Sequence, residues 1–237
     1  MDDLLSLMRS GPRKIAVTGH FGSGKTEFAV SLAFALAAEK NADETLALCD
    51  LDIENPYFRS RERQDALRAA GVDVYSDPSD GRNGSELQTI SAKIRAPLEN
   101  DGCRVILDCG GDGSGAMILR QFAKYFAPGD HRLLCVVNPN RPGTDTPEKA
   151  AAHVRAIEDA TGLRVTGLIS NAHLIRFTTA DTVREGWAFA RQVETLTGVP
   201  LLAACCMRAL CPALDGCGFP VFPIGMYMRD TYLDKSV

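Results

Sequence analysis

Residues 19–26, with the sequence GHFGSGKT, carry the residue types that bind phosphate groups. The glycines let consecutive backbone N–H groups turn inward around an anion, and the N-terminus of a following helix adds its partial positive charge. The pattern predicts that Lys25 contacts the β- and γ-phosphates of a nucleotide and that the Thr26 hydroxyl binds Mg²⁺. The predicted nucleotide-binding residues of this segment are Gly19, His20, Phe21, Gly22, Ser23, Gly24, Lys25, Thr26 and Glu27.

Acidic residues end two predicted strands farther along the chain. Asp50 and Asp52 follow the apolar run at residues 45–49, and Asp108 ends the apolar run at residues 104–107. Because ligands gather at the carboxyl ends of parallel strands, we expect these carboxylates near the phosphates. An aspartate at the end of an apolar strand, followed by Cys109 and two glycines, predicts that the Asp108 carboxylate holds the Mg²⁺ shell directly or through water.

The elements that must position these residues alternate between strands and helices. The predicted strands are residues 14–18, 45–50, 72–75, 104–109, 132–138, 164–171 and 201–205. The predicted helices are residues 26–40, 59–70, 85–100, 115–126, 146–161 and 179–197. Continuous apolar runs suit strands that are covered on both faces, which favours a parallel sheet. We predict a doubly wound α/β fold of the P-loop NTPase type, with a mostly parallel sheet of about seven strands, in a single domain over residues 1–237.

Composition and charge narrow the class of protein. Of the 237 residues, 45% are apolar and 24% are charged, which is typical of a globular protein. The net charge of −4 and the lack of a basic stripe argue against nucleic acid as a partner. The sequence contains no apolar run near the ~18 residues of a membrane span, and its first residues do not form a signal peptide. We therefore expect a cytoplasmic protein with no membrane role.

The chain resembles the ParA/MinD/CobQ/CobB superfamily of P-loop ATPases. The resemblance rests on the P-loop, on DLDIENP at residues 50–56 and on an apolar strand that ends in DCGGD, and it covers about residues 14–228. It is similar in particular to an ATP-binding subgroup without an assigned role. The resemblance implies these roles: Lys25 as the P-loop lysine, Thr26 as a Mg²⁺ ligand, Asp50 as a supporting Mg²⁺ group, Asp52 as the group that positions or activates the attacking water, and Asp108 as the Walker B acid.

One position departs from the pattern of that superfamily. Members such as MinD and ParA carry a lysine early in the P-loop that reaches the phosphates of a dimer partner, whereas this chain has His20. An imidazole is mostly uncharged near neutral pH, so we expect a weakened contact across a dimer and slow hydrolysis. The alternative is that His20 is a loop residue whose side chain faces solvent.

Selection of the base depends on the chain after the later strands. Asn171 has no aspartate two places on, which favours ATP over GTP, and in the resembling ATPases an asparagine here contacts adenine. Pro223 is predicted to lie against the base, as the chain after the last strand does in the family. Residues 138–142 (NPNRP) either line the catalytic face or form a plain helix-entry loop capped by Thr144 or Asp145.

Four cysteines near the C-terminus allow two interpretations. Thiolates bind Zn²⁺ or iron–sulfur clusters, but no C-x-x-C spacing occurs. The favoured interpretation is that they are thiols packed in the core. These cysteines are Cys205, Cys206, Cys211 and Cys217.

Two functional classes fit these features. The first is a slow, Mg²⁺-dependent ATPase that acts as a nucleotide-gated switch or maturation factor, either on a partner protein or as a nucleotide-dependent homodimer. The second is an ATP-dependent transferase or ligase that acts on a small metabolite, like the dethiobiotin synthetase-like and CobQ/CobB-like relatives. Residues 57–61 (YFRSR) fit either a partner-docking face or an acceptor pocket. The switch is favoured because no further catalytic constellation is visible.

Overall fold

A computed structural model describes residues 3–52, 63–75, 86–111 and 113–229 of the chain. The strands are β1 (Lys14–Thr18), β2 (Thr45–Leu51), β3 (Asp73–Tyr75), β4 (Cys103–Cys109), β5 (His131–Val137), β6 (Gly167–Ser170), β7 (Leu201–Met207) and β8 (Val221–Ile224). The α-helices are α1 (Leu4–Ser10), α2 (Lys25–Glu39), α3 (Gln64–Ala69), α4 (Glu86–Glu99), α5 (Gly113–Arg120), α6 (Pro147–Thr161) and α7 (Ala180–Thr197).

The strands form one parallel sheet with the order β3-β2-β4-β1-β5-β6-β7-β8. β1 lies between β4 and β5, with Lys14 opposite Val105 on one side and opposite His131 on the other. In the sheet, β2, β3 and β4 lie on one side of β1, and β5 to β8 lie on the other side. The loop after β1 therefore lies at the topological switch point, where ligands bind in such sheets. The predicted doubly wound α/β fold is confirmed, and the sheet has eight strands instead of about seven.

Two apolar cores lie on opposite faces of the sheet, as the alternation along β1 illustrates. Ile15 and Val17 pack in the core formed with α1, α2 and α3, whereas Ala16 packs in the core formed with α4, α5, α6 and α7. All three side chains are fully buried. Helices on both faces therefore hold the strand that precedes the glycine loop, which fixes where that loop begins.

Several element boundaries differ from the prediction. α1 and β8 were not predicted. β6 begins at Gly167 instead of residue 164 because the Val165 N–H donates to a Glu158 carboxylate oxygen at 2.9 Å. α5 ends at Arg120 because the following N–H groups bond three residues back, and a 3₁₀ turn follows at Ala123–Tyr125. Of the helix predicted at residues 59–70, residues 59–62 lie outside the described part, and α3 covers Gln64–Ala69.

Within the described ranges, no helix combines the length and apolar character needed to cross a membrane.

Candidate nucleotide-binding site

The loop between β1 and α2 has the geometry of a phosphate cradle. The Ser23 N–H donates to the His20 carbonyl at 2.9 Å, which closes the turn. Gly24 precedes α2 with a φ of 87°, a left-handed conformation that favours glycine. No side chain caps the helix at this residue. The N-terminus of α2 is therefore open to an anion.

Asn171, which directly follows β6, holds this loop in place. Its side-chain amide donates to the Ser23 carbonyl at 2.8 Å, and its backbone N–H donates to the Val137 carbonyl at 2.8 Å. A β-carbon at Gly24 would overlap the Asn171 amide nitrogen. Gly24 is therefore required both for its backbone conformation and for this close approach. The Asn171 amide donates to the P-loop, so it is not reserved for a base.

Lys25 and three aspartates meet beneath the loop. Lys25 Nζ lies 2.8 Å from Asp52 Oδ2, and both side chains are at most 5% exposed. Asp50 accepts from the Asp52 N–H at 3.2 Å and is paired in register with Asp108 on the neighbouring strand β4. The expectation that these carboxylates share one edge of the sheet is met in the geometry. Their catalytic and metal-binding roles stay predictions.

Asp108 is the most crowded of the three carboxylates. Burial raises its pKa well above the ordinary value, and the charges of Asp50 and Asp52 raise it further. Lys25 and the nearby Thr26 hydroxyl offset only part of this rise. Neither Asp108 oxygen has a partner in hydrogen-bond geometry among the described residues. A second positive charge at this point would relieve the conflict.

The glycines after Asp108 bring β4 against the P-loop. A β-carbon at Gly111 would overlap the Gly19 carbonyl, and one at Gly110 would lie 2.7 Å from Gly115 Cα at the start of α5. The Thr18 hydroxyl donates to the Gly110 carbonyl at 3.2 Å, which joins the two loops directly. The chain after Asp108 is therefore in direct contact with the cradle.

The donor set fits Mg²⁺ in the way that nucleotide sites use it. Mg²⁺ keeps several waters and takes one or two protein oxygens together with substrate phosphates. Thr26, Asp50 and Asp108 offer such oxygens, and the orphaned carboxylate of Asp108 is a buried group that needs a partner. In the described part of the chain, no three acidic, histidine or cysteine side chains form a complete metal cage. The residues therefore suit a shared site and not a closed one.

A cavity of about 480 Å³ opens from the cradle and can hold the rest of a nucleotide. Its phosphate end is lined by His20, Phe21, Gly22, Gly24, Lys25, Thr26, Arg141 and Pro142. Its other end is lined by Glu27, Asn171, His173, Ile175, Thr178, Met207, Ile224, Met226 and Met228. The second set is mainly apolar, which suits the flat face of a base.

One wall of this apolar end has a strained backbone. Ile175 has a φ of 56°, which is unusual for a β-branched residue. Thr178 stabilises the turn, because its hydroxyl accepts from the Leu174 N–H at 2.8 Å and donates to the Ile175 carbonyl at 2.7 Å. Strain of this kind persists only where the surroundings hold it, and it occurs often at ligand sites.

Two predicted residues have surroundings that the sequence did not indicate. Pro223 lies within β8 and is exposed, and the cavity is lined by its neighbour Ile224 instead. The His20 ring packs edge-on against His153 with ring centres 5.3 Å apart, and it lies against Gly143. His20 also lines the cavity, and its ring contacts His153 and Gly143 of the same chain.

Of the C-terminal cysteines, Cys205 and Cys206 lie within β7 and the other two follow it, and all four are free thiols. Cys205 and Cys206 are buried, and burial raises the pKa of Cys206 to about 12. The half-buried Cys211 and Cys217 donate to the carbonyls of Met207 and Phe219. The raised pKa of Cys206 favours a protonated thiol within the core over a thiolate ligand.

Sequence reasoning offered one residue of the site only as an alternative and missed others. Residues 138–142 were predicted either to line the catalytic face or to form a helix-entry loop; the Arg141 Nε among them donates to the Gly22 carbonyl at 2.6 Å, and its side chain lines the phosphate end. The methionines Met207, Met226 and Met228 gave no sequence signal, because methionine is an ordinary core residue.

Comparisons with known proteins establish the fold. No family model and no curated protein match the sequence. Among solved structures, chloroplast FtsY from Physcomitrella patens is 19% identical with a TM-score of 0.52, and it aligns over 81% of this chain and 58% of its own. FtsY from Mycoplasma mycoides is 14% identical with a TM-score of 0.52, over 80% and 58%. The signal recognition particle receptor FtsY from Elizabethkingia anophelis in complex with GDP is 18% identical with a TM-score of 0.52, over 81% and 57%.

At this identity the likeness supports a P-loop NTPase fold and nothing finer. The chain spans less than three fifths of the length of these FtsY structures. The comparisons do not show that the chain belongs to the ParA/MinD/CobQ/CobB subgroup, and this membership stays a prediction from the sequence.

Proposed function

We propose that this protein is a Mg²⁺-dependent, ATP-binding P-loop switch that acts with a partner protein or with a second copy of itself. The observation that carries the proposal is the convergence of Lys25, Thr26 and three strand-end aspartates beneath the glycine loop. This arrangement opens onto a cavity with an apolar far end. A cradle for phosphates joined to a slot for a base fits a nucleoside triphosphate.

The ion pair between Lys25 and Asp52 supplies the switch. A triphosphate in the cradle competes with Asp52 for the Lys25 ammonium, because the lysine of this motif contacts the β- and γ-phosphates. When Lys25 turns to the phosphates, the Asp52 carboxylate becomes available to orient or deprotonate a water molecule. Nucleotide binding thus changes the contacts of Asp52.

Thr26, Asp108 and Asp50 are the residues that would hold Mg²⁺. When bound, the cation neutralises phosphate charge and the charge that these carboxylates share. The protein groups carry the remaining work: the loop N–H groups orient the phosphates, Lys25 balances their charge, and Asp52 acts on the water. Slow turnover is expected, because His20 stands where the resembling superfamily has its early P-loop lysine.

Exposed apolar side chains near the cavity support a protein partner. Phe21 is 56% exposed, Leu174 45%, Phe177 66% and Met226 36%. Phe21 and Met226 line the cavity, and Leu174 and Phe177 are adjacent in sequence to residues that do. Exposed apolar groups gathered around one opening are typical of an interaction surface. A partner docked there would contact the nucleotide site and could sense its occupancy.

A transferase or ligase that acts on a small metabolite is the second candidate. Arg141 favours it, because a guanidinium at the phosphate end can hold the carboxylate or phosphate of an acceptor. The segment at residues 57–61, which was predicted to build an acceptor pocket or a docking face, lies outside the described residues. Stimulation of ATP turnover by a small molecule would favour this candidate, and stimulation by a protein would favour the switch.

Two substitutions test the proposed site. Lys25→Ala should abolish micromolar ATP binding in calorimetry, because the main cationic contact to the phosphates is lost. Asp52→Asn should keep Mg-ATP bound but slow hydrolysis at least about a hundredfold, the scale expected for losing a group that prepares the nucleophile.

Lys149→Ala is the matched control, because Lys149 is a surface lysine of α6 that pairs with Asp145, which precedes the helix. Normal ATP binding by the Lys25→Ala protein would overturn the P-loop assignment. Weaker binding with unchanged turnover of bound ATP in the Asp52→Asn protein would make Asp52 a structural or metal residue.

A further inference from the structure

The segment at residues 225–228, here called the base wall, follows β8 and forms one side of the apolar end of the cavity. Met226 and Met228 line the cavity, and between them Tyr227 turns away toward α2. Nothing within the segment explains its position, because it contains only the start of a 3₁₀ turn at Tyr227–Arg229. The contacts that hold it come from other parts of the chain.

Glu27 provides the central contact. Its two carboxylate oxygens accept from the N–H groups of Tyr227 at 2.6 Å and Met228 at 3.0 Å, across 200 residues of sequence. Hydrogen bonds to a charged acceptor are stronger than neutral ones. Glu27 is also the residue directly after Thr26, so one turn of α2 carries both a predicted Mg²⁺ ligand and the attachment of the base wall.

Tyr227 is held from two further directions. Its ring stacks on Phe34 with ring centres 4.5 Å apart, and its carbonyl accepts from Arg63 Nε. Arg63 directly precedes α3 and is the first described residue after Asp52. A fourth contact joins Gly225 to α2 through Ser31 Oγ at 3.1 Å. The base wall, which follows β8, is thus attached to α2 and to the residue before α3.

We propose that Glu27 is a positioning residue that sets affinity for the base by holding the base wall, and that Arg63 supports the same wall from the residue before α3. The inference rests on the proposed nucleotide site. It assigns base affinity to a carboxylate that acts through the backbone of residues 227 and 228, and it makes Arg63 part of the same device. Changes at either anchor should weaken binding of the base while the phosphate cradle keeps its affinity.

Calorimetry with two probes in Mg²⁺ buffer tests this inference. ATP reports the whole cavity, and inorganic tripolyphosphate reports the cradle alone. Glu27→Gln should lower ATP affinity at least about tenfold, because an amide presents only one acceptor to two N–H groups and leaves one unpaired. Arg63→Met should lower ATP affinity severalfold. Both variants should bind tripolyphosphate within about twofold of the wild type, a ratio that general destabilisation would not produce.

Glu39→Gln, at the last residue of the same helix, is the matched control and should bind both probes normally. An unchanged ATP-to-tripolyphosphate ratio in Glu27→Gln would refute the positioning role. Loss of both probes would also refute it, because Glu27 would then support the cradle. If Arg63→Met bound ATP normally while Glu27→Gln did not, Glu27 would contact the nucleotide directly. Failure of the wild type to bind ATP would instead refute the proposed function.

Discussion

Three carboxylates converge on one lysine beneath the P-loop, and Asp108 is the one with the least compensation. It is fully buried, and its burial and the charge of Asp50 raise its pKa more strongly than Lys25 lowers it. A carboxylic acid whose pKa is raised on folding contributes stability below its ordinary pKa and loses it as the pH rises through the raised value. The free protein is therefore expected to become less stable from mildly acidic to neutral pH.

Asp108→Asn should remove this conflict. At pH 7 we expect the ligand-free variant to gain at least about 1 kcal/mol in the free energy of unfolding, since one pKa unit corresponds to about 1.4 kcal/mol. The loss of stability with rising pH should also shrink. Thermal unfolding from pH 4 to 8, with and without Mg-ATP, measures both effects, and the variant should lose most of the stabilisation that Mg-ATP gives the wild type.

Asp159→Asn on the exposed side of α6 is the control for a carboxylate lost from the surface. A less stable Asp108→Asn protein at pH 7 would show that attraction to Lys25 outweighs burial and repulsion. That outcome would contradict the assignment of Asp108 as a strained acid that awaits a cation.

Among the elements, those of the candidate phosphate site could be predicted from the sequence, whereas β8 and the chain after it, at the candidate base site, could not. The β1–loop–α2 unit and the acidic ends of β2 and β4 follow from local patterns, because a strand, a glycine loop and a helix are all short-range features. β8 was missed because Pro223 interrupts the strand pattern. An edge strand tolerates proline, since an N–H that faces outward has no ladder partner.

Contacts between distant elements explain the rest of the missed site. The bond from Asn171 to Ser23 spans 148 residues, and that from Tyr227 to Glu27 spans 200. Periodicity and spacing carry no information about such pairs. The sequence therefore predicted that Asn171 lies at the base end, but not that its amide is shared with the P-loop.

The residues at and after the ends of β6, β7 and β8 are predicted to set which base the cavity selects. The position two residues after Asn171 is His173, so no aspartate is available there to pair with the guanine edge. Met207, Met226 and Met228 offer apolar contacts instead, and polar groups of guanine buried against them would lack partners. ATP should bind at least about tenfold tighter than GTP, a difference of ~1.4 kcal/mol.

Competition between ATP and GTP measures this preference, and His173→Asp provides a directed control that should narrow the gap by strengthening GTP binding. Equal affinities of the wild type for the two nucleotides would overturn the assignment of adenine.

At the scale of the whole molecule, the proposed switch includes the association of two copies over their nucleotides. In the superfamily that the sequence resembles, a lysine at the position of His20 reaches a dimer partner. Here the His20 ring packs against His153 within its own chain. The exposed Phe21 beside it still offers an apolar contact. The surface is thus suited to association, while the lysine that would bridge to a partner's phosphates is replaced by His20.

We therefore expect weak self-association that depends on nucleotide. Sedimentation velocity with a non-hydrolysable ATP analogue should show a small dimer fraction in the wild type, which His20→Lys increases, because a lysine carries a full charge and enough reach to leave the chain's own surface. The turnover of ATP should rise in the same variant. Phe21→Ser is the opposing variant and should reduce the dimer fraction, because it removes an exposed apolar contact. A tight wild-type dimer without nucleotide would contradict nucleotide gating. If His20→Lys changed neither association nor turnover, His20 would not face a partner. The protein would then be expected to act on a different protein or on a small acceptor molecule, and not as a homodimer.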